Sequence, residues 1–363
     1  MIRNRREPLV SPSISHATPL RIKSALGSGI KHRQPRRLGP LVYSDLSLML
    51  AVSLIIATAM PTLAEQHAST PVGHRVLLHG VTNDGPQLVI VEPDGHISWR
   101  MDWPSIHDLH ILDDGRILTR MGKTKVVEVD PKTKQVVWQY DCSASNGNHG
   151  QRVEVHAFQR LRSGHTMIAE SGIGRLIEVD REGRLQHEIQ LVRERPSLHS
   201  DTRLVRQTSN ADYLVAHEAD GCVRRYNRAG EVVWQFDVPL FGRAPRKGHG
   251  LNAFGNQVFA AIELQNGNTL VSTGNGHSVL EITPSHDIVW ALHQDDLPGI
   301  RLAWTTTLQV LKNGHLVIGN CHAGPDEPLL IEIDRKTNRV VWTLDRHADF
   351  GNAVSNSLIM PKS

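Results

Sequence analysis

The sequence of 363 residues contains only three cysteines, Cys142, Cys222 and Cys321. Exported proteins that depend on disulfides usually carry more cysteines, in even number. The count leaves room for one pair at most, and the wide spacing of the three favours no particular pairing. No Cys-x-x-Cys-His sequence is present, which excludes a covalently attached haem. The chain is therefore neither a disulfide scaffold nor a c-type cytochrome.

The chain also lacks the signals of several enzyme classes and of long helices. No stretch repeats its apolar residues with the period of an amphipathic helix, so we expect little helix. No nucleophile motif, phosphate-binding loop or clustered pair of carboxylates is found. These absences favour a binding or scaffold protein without chemistry of its own.

The formal net charge of +3 conceals an uneven distribution. Residues 1–45 carry nine Lys and Arg against Glu7 and Asp45, so the rest of the chain is mildly acidic. The basic character therefore belongs to this leader and indicates no nucleic-acid partner.

A short apolar segment follows the basic leader. Leu46–Met60 is uncharged and 15 residues long, which is less than the about 20 residues of a membrane helix. Thr62-Leu63-Ala64 then places small residues where signal peptidase cleaves. We predict a leader and signal peptide over 1–64 and an exported domain, periplasmic or extracellular, over 65–363. An uncleaved leader that anchors the chain to a membrane is the alternative.

The chain is rich in copies of one unit, a short β-run, an acidic turn and a closing Trp. Val126–Trp138 and Leu330–Trp342 are nearly identical. Weaker copies end at Trp99, Trp234 and Trp290, and one without Trp runs over Leu176–His187. A unit that returns about every 40–55 residues is typical of a propeller or solenoid.

Each unit has a second apolar stretch upstream, broken by a turn such as Asp114-Gly115 or Asn266-Gly267. Such turns join hairpins, and two hairpins make the four antiparallel strands of one propeller blade. The N-terminal copy lacks an opening strand, and Asn352–Met360 resembles the missing one. We predict an all-β, six-bladed β-propeller closed by pairing of this C-terminal strand beside Arg75–Gly80. The repeated Trp rings are expected to fill the gaps between blades.

The repeat resembles the pyrroloquinoline-quinone-like propeller repeats, whose pattern is an apolar run, Asp, two residues, Thr-Gly, an apolar pair and Trp. Thr133-Lys134 and Thr337-Asn338 keep the Thr and lose the Gly. The resemblance covers about residues 75–360 and implies the fold more than the chemistry. Quinoprotein dehydrogenases of this kind have eight blades and two adjacent cysteines, which the chain lacks. The resemblance therefore points to the branch that is not a dehydrogenase.

Candidate site residues come from the first strand of each blade, which lines the central channel of a propeller. Counting eight residues upstream from each hairpin turn identifies one position per blade. These positions hold His107, His156, Arg203, Phe259, Thr306 and, in the closing strand, Asn352. His107, His156 and Arg203 would converge at one channel mouth and bind a carboxylate or sulfate. The alternative is that these positions are simply polar and exposed to water.

Two further groups of residues are candidates at the rim. Trp304 lies outside the repeated Trp series, and the basic loop 239–256 carries Arg243, Arg246 and Lys247. A metal site is not expected, because no short-range ligand motif is present. If the blades bring His107 and His156 close together, these two could chelate a metal ion, with His199, His249 or Cys321-His322 as further ligands.

The leading prediction is thus an exported, monomeric binding or scaffold module without a cofactor, whose partner is a small anion or a protein. The chain is also similar to arylsulfotransferase-type propellers, which implies a channel His as nucleophile or acid-base group and Arg203 as the anion holder. A lyase-like enzyme with the same residues belongs to this alternative. A dehydrogenase dependent on pyrroloquinoline quinone is the third possibility.

Overall fold

The computed structural model describes residues 73–352 and 354–361. These residues form six sheets, each of four antiparallel strands. The first three blades, in chain order, contain β1 (Val76–Thr82), β2 (Gly85–Val91) and β3 (Ile97–Asp102); β4 (Leu109–Ile111), β5 (Ile117–Met121), β6 (Lys125–Asp130) and β7 (Gln135–Asp141); and β8 (Glu154–Arg160), β9 (Thr166–Ser171), β10 (Arg175–Val179) and β11 (Leu185–Gln190).

The remaining blades continue the same order of strands. They contain β12 (Val205–Gln207), β13 (Tyr213–His217), β14 (Cys222–Tyr226) and β15 (Val232–Asp237); β16 (Ala260–Glu263), β17 (Thr269–Ser272), β18 (Val279–Ile282) and β19 (Ile288–Leu292); and β20 (Trp304–Val310), β21 (Leu316–Cys321), β22 (Leu330–Asp334) and β23 (Arg339–Leu344), followed by β24 (Ser357–Ile359). The six-bladed β-propeller predicted from the repeats is confirmed.

Helix is scarce, as expected. In the described part of the chain it is limited to a 3-10 turn, Cys142–Ala144, and one α-helical turn, α1 (His347–Phe350). Neither is long and apolar enough to cross a bilayer. The predicted leader, signal peptide and cleavage after Ala64 lie outside the described residues.

The ring closes as predicted from the surplus repeat. Strand β24 pairs antiparallel with β1, and Leu358 faces Leu77 in this register. Buried Phe350 of α1 packs against Gly80, where a Cβ atom would come within 2.6 Å of the phenylalanine Cβ. Glycine at this position therefore permits the helical turn to seal the joint, and closure leaves no inner strand of blade 1 unpaired.

The hairpin turns between the first and second strands explain the Asp-Gly and Asn-Gly signals. Gly115 has a φ of 83°, a conformation that glycine adopts without a steric penalty. Ala211 takes the equivalent place in blade 4 with a φ of 69°, where a side chain is strained. The hairpin geometry is thus kept even where the favoured residue is absent.

The core lies between neighbouring blades, because the two middle strands of each sheet are buried on both faces. One cluster joins blades 3 and 4 through residues such as Met167, Leu176 and Tyr213, all with no exposed surface. The three cysteines are also buried, and none forms a disulfide. Burial raises the pKa of the Cys222 and Cys321 thiols to about 12, so both remain protonated at neutral pH.

The repeated Trp residues connect each blade to the next. Trp138 donates its indole N–H to the carbonyl of Arg181 at 2.7 Å, and Trp99 does the same to Pro131 at 2.7 Å. Trp234 instead stacks on His286 of the following blade, with ring centroids 5.5 Å apart. The prediction that these rings fill the gaps between blades is confirmed.

Candidate functional site

The predicted cluster lies where the first strands of blades 2, 3 and 4 begin. His156 lies within β8, while His107 and Arg203 lie two residues before β4 and β12. Neighbouring blades of a propeller place equivalent positions side by side around the channel. Because the three residues occupy equivalent positions relative to their hairpin turns, their side chains lie at one mouth of the channel.

The three side chains contact one another directly. The Nδ1 atoms of His107 and His156 are 3.1 Å apart, and the rings meet edge to face with centroids 4.5 Å apart. Arg203 Nη1 lies 3.2 Å from the same Nδ1 atom of His156. His156 has no exposed surface and Arg203 is 5 % exposed, whereas His107 is only half-buried. The cluster thus has one side open to solvent.

The other predicted positions do not join this cluster. Thr306 is buried and donates to the Val354 carbonyl at 3.4 Å. Trp304 and Phe259 pack with Leu204 in an apolar cluster. Blades 5 and 6 therefore contribute packing where blades 2 to 4 contribute ionisable groups.

The assignment of Asn352 to the closing strand position is wrong. Pairing of β24 with β1 places Ile359 opposite Val76, whereas in blade 2 Ile111 lies opposite Ile117. Superposing these two registers makes Ser355 the equivalent of His107. Asn352 lies three residues earlier, and its side-chain oxygen accepts from the amide of Gly324.

Sequence reasoning missed Glu154 and treated His199 only as an additional ligand. Glu154 Oε1 accepts from Lys123 Nζ at 2.8 Å, while Oε2 lies 2.9 Å from His199 Nδ1 and 3.3 Å from His156 Nε2. Glu154 and His156 are two residues apart in β8, a spacing that places side chains on one face of a regular strand, and they meet here although a bulge lies between Val155 and Ala157. The spacing of two residues could have identified Glu154 from the sequence as a neighbour of His156.

Arg203 is held in place by contacts with its own blade. Its Nε forms an ion pair with the buried Glu218, and Nη1 donates to the His199 carbonyl at 2.7 Å. Arg120 supports the neighbouring strand by donating to the Val155 carbonyl at 3.0 Å. These contacts fix two guanidinium groups beside the histidines.

The histidines of the cluster are neutral at physiological pH. Burial is the main cause that lowers the pKa of His156 to about 3, and Arg203 adds to it against the opposing effect of Glu154. Burial and the proximity of His156 and Arg203 also hold the pKa of His107 well below its usual value. Both rings therefore offer a nitrogen lone pair.

Glu154 and Arg120 keep their charges at neutral pH. The contact with His156 is the largest cause that lowers the pKa of Glu154, and Lys123 contributes in the same direction. Burial lowers the pKa of Arg120 to about 10, which leaves it protonated at neutral pH. Burial raises the pKa of Glu218, and the ion pair with Arg203 opposes this rise. Arg203, Arg120 and Lys123 face the carboxyl groups of Glu154 and Glu218.

A second ion pair, with a buried carboxylate, connects blades 2 and 4 further along their first strands. Arg206 of blade 4 reaches Asp108 of blade 2, with its two terminal nitrogens 2.8 and 2.9 Å from the carboxylate oxygens. A cavity of about 130 Å³ remains beside Arg206 and Gln309. This is well below the about 300–1,000 Å³ of small-molecule sites.

The rim candidates form separate contacts. Arg243 stacks on Phe254 with its guanidinium carbon 3.7 Å from the ring centroid. His249 lies near Trp304 and His322, with ring centroids 4.9 and 5.1 Å away. Arg246 and Lys247 are exposed.

These observations define the class of protein, a six-bladed propeller with a cluster of ionisable residues at one channel mouth. Residues 87–344 match the family model described as outer membrane protein assembly factor BamB. The chain belongs to this family of PQQ-like repeat propellers.

Solved structures with the same fold are distant in sequence. A protein of unknown function from Bacteroides caccae is 21% identical, covers 78% of this chain and 98% of its own, and superposes with a TM-score of 0.63. Catalytically inactive virginiamycin B lyase from Staphylococcus aureus with quinupristin is 12% identical, with 76% and 86% coverage and a TM-score of 0.50. No curated protein matches the chain by sequence. These likenesses establish the fold alone.

Proposed function

We propose that the chain is an exported β-propeller, periplasmic or extracellular, that binds a small anionic ligand at the mouth formed by His107, His156 and Arg203. The observation that supports this function is the direct contact of these three side chains, which come from three consecutive blades. The three residues lie on, or two residues before, the first strands of their blades, and a site supported in this way holds its groups in a fixed geometry, which favours specific binding.

The charge of the mouth favours an anion. Three cations face two carboxylates while the imidazoles are neutral, so the cluster is weakly positive. Guanidinium groups donate in a fixed fork that suits carboxylate and sulfate oxygens. Half-buried His107 and exposed His199 leave one side open to solvent for the ligand.

The same electrostatics argue against acid-base catalysis by His156. A group is an efficient general base when its pKa lies near the working pH. A pKa of about 3 makes His156 a weak base under neutral conditions. A neutral imidazole remains a nucleophile, so the sulfotransferase alternative predicts sulfate transfer from an aryl sulfate. Absence of transfer across a donor panel would eliminate that alternative.

The binding function is tested by titration with sulfate, acetate, benzoate and benzenesulfonate, followed by calorimetry and thermal shift. The double variant R203Q/E218Q removes the guanidinium without leaving an unpaired buried carboxylate. Loss of one charge-assisted hydrogen bond predicts at least about tenfold weaker binding. R225Q/E263Q is the matched control, because it removes a partly buried Arg–Glu pair at 3.0 Å elsewhere. The proposal fails if no anion binds, or if both double variants bind equally well.

The family assignment and one surface feature favour a second candidate, a protein scaffold. The outermost strands β7, β15 and β19 expose apolar side chains, with Val137 44 %, Val233 52 % and Val289 55 % exposed. Apolar side chains along an unpaired outer strand suit a protein partner. The test is copurification with outer-membrane proteins from cell envelopes. Substitution of Val137, Val233 and Val289 by Lys should abolish this copurification, while R203Q/E218Q should leave the copurification unchanged.

A further inference from the structure

His156 has an unpartnered polar atom in the interior. The residue has no exposed surface, and its Nε2 atom makes no hydrogen bond with any residue of 73–352 and 354–361. Glu154 Oε2 lies 3.3 Å from this atom, but without hydrogen-bond alignment. Burying a polar nitrogen without a partner costs about 1–3 kcal/mol. Such an atom requires an explanation, and a bound ion is one of them.

Two further donor atoms lie beside that nitrogen. Glu154, His156 and His199 each offer one ligand atom, and these three atoms lie within 4.8 Å of one another. Glu154 Oε2 is 2.9 Å from His199 Nδ1, and the rings of His156 and His199 are nearly perpendicular with centroids 5.0 Å apart. Ligands around a tetrahedral zinc ion are separated by about 3.4 Å, given bonds of about 2.1 Å. The two separations that involve Glu154 Oε2, 2.9 and 3.3 Å, are close to this value, and the two histidine nitrogens lie within 4.8 Å of each other.

We propose that Glu154, His156 and His199 form a binding site for a divalent transition-metal ion, with zinc as the best match to the donor set. Two imidazole nitrogens and one carboxylate oxygen suit zinc, copper or nickel, whereas calcium and magnesium prefer oxygen ligands alone. This inference goes beyond the proposed anion site and does not depend on it. It also revises the expectation that the chain has no metal site.

The surroundings of the three ligands fit this role. The Nδ1–H group of His156 can donate to His107 Nδ1 at 3.1 Å, which directs the lone pair of Nε2 towards the metal. Lys123 binds the other oxygen of Glu154 and leaves Oε2 for coordination. In this tautomer Arg203 Nη1 keeps its hydrogen bond to the His199 carbonyl and gives up its contact with His156.

The nearby cations oppose metal binding but do not prevent it. The Lys123 side chain is 76% exposed, so solvent screens its charge strongly. Arg203 is compensated by Glu218 in a buried ion pair. His199 has a side chain 61% exposed and gives the ion a path from solvent. Three protein ligands also leave a fourth position for water or an anion.

The test is calorimetric titration of the chelator-treated, tag-free protein with Zn²⁺ in a buffer without coordinating anions. Visible absorption on titration with Co²⁺ reports the geometry. We expect one ion per chain, and at least about tenfold weaker affinity in both E154Q and H199A. H96A is the matched control, because His96 is an exposed His that contacts Asp94 at 2.6 Å.

Circular dichroism establishes that each variant is folded. His199 is largely exposed and E154Q preserves shape, so neither change should disturb the fold. The proposal is overturned if the wild type binds no stoichiometric ion, or if either E154Q or H199A retains wild-type affinity. Titration of the metal-free protein with benzenesulfonate then tests the anion site separately, so failure of one proposal does not obscure the other.

Discussion

The ion pair of Asp108 and Arg206 is expected to be the most sensitive polar contact of the fold. Asp108 has no exposed surface, and it accepts from the amides of Leu109 and Phe158 at 2.9 and 3.2 Å as well as from Arg206. Asn356, immediately before β24, donates a further hydrogen bond at 3.2 Å. One carboxylate therefore connects blades 1, 2, 3 and 4.

The substitution Asp108→Asn keeps the shape and removes the charge. Burial acts to raise the pKa of Asp108, but Arg206 and His110 outweigh it and hold the pKa well below its usual value. The carboxylate is thus ionised in the fold, and its loss leaves Arg206 without a counter-ion. Breaking a buried pair in this way costs about 3–5 kcal/mol.

The assay is urea unfolding followed by tryptophan fluorescence. The double variant D108N/R206M removes both charges, and its loss of stability should fall well below the sum of the single losses. D84N is the control, because Asp84 is 70% exposed and pairs with Arg100 at 3.5 Å. It should change stability by less than about 1 kcal/mol. A D108N protein as stable as D84N, or strictly additive losses, would refute the reasoning.

Three further predictions concern the rest of the ring. Burial lowers the pKa of His217 to about 4, below its ordinary 6.5, so the unfolded state takes up the proton first as the pH falls. The free energy of unfolding should therefore fall by about 3 kcal/mol between pH 6.5 and 4. Urea midpoints at several pH values should fall less steeply in H217N, and an unchanged slope would contradict this prediction. Trp138→Phe loses an indole hydrogen bond, whereas Trp234 Nε1 has no hydrogen-bond partner in the described chain. Trp138→Phe should therefore lower the free energy of unfolding by about 1 kcal/mol more than Trp234→Phe. Equal shifts of the melting temperature in the two variants would contradict this prediction. Ending the chain after Asn356 removes β24 and leaves an inner edge open, so size-exclusion chromatography should show oligomers, and a stable monomer would argue against closure by this strand.

The blade architecture could be predicted because its signals are local. Each hairpin requires a residue with positive φ at a fixed place, and Gly115 and Gly267 supply it with φ values of 83°. The Trp series was equally readable, since each ring contacts the next blade at the same step of the repeat. Such signals recur in every unit and reinforce one another.

The channel position of the closing strand could not be predicted from hairpin turns. Five blades have a hairpin between their first two strands, and counting back from its turn finds the channel position. In blade 1 these two strands, β24 and β1, come from opposite ends of the described chain, so no turn sets their register. The pairing itself sets it and selects Ser355 instead of Asn352.

The candidate site was predictable only in the part that lies on, or just before, the first strands of the blades. His107, His156 and Arg203 follow the repeat, and Glu154 could have been found from its spacing to His156. His199 reaches the cluster from the connection between β11 and β12, whose path follows no periodic pattern. Contacts supplied by such connections depend on the tertiary fold.

The ionisable side chains of the mouth come from some blades and not from others, and this distribution indicates where the proposed ligand would bind. Blades 2 to 4 provide the ionisable side chains, while Phe259 and Thr306 of blades 5 and 6 are buried in packing contacts. A ligand is therefore expected to bind off the channel axis, beside exposed His199. The ion pair of Asp108 and Arg206 connects blades 2 and 4 further along the same first strands. His199 is the exposed member of this group, so substitutions at His199 are the most direct way to change association and dissociation of the proposed ligand.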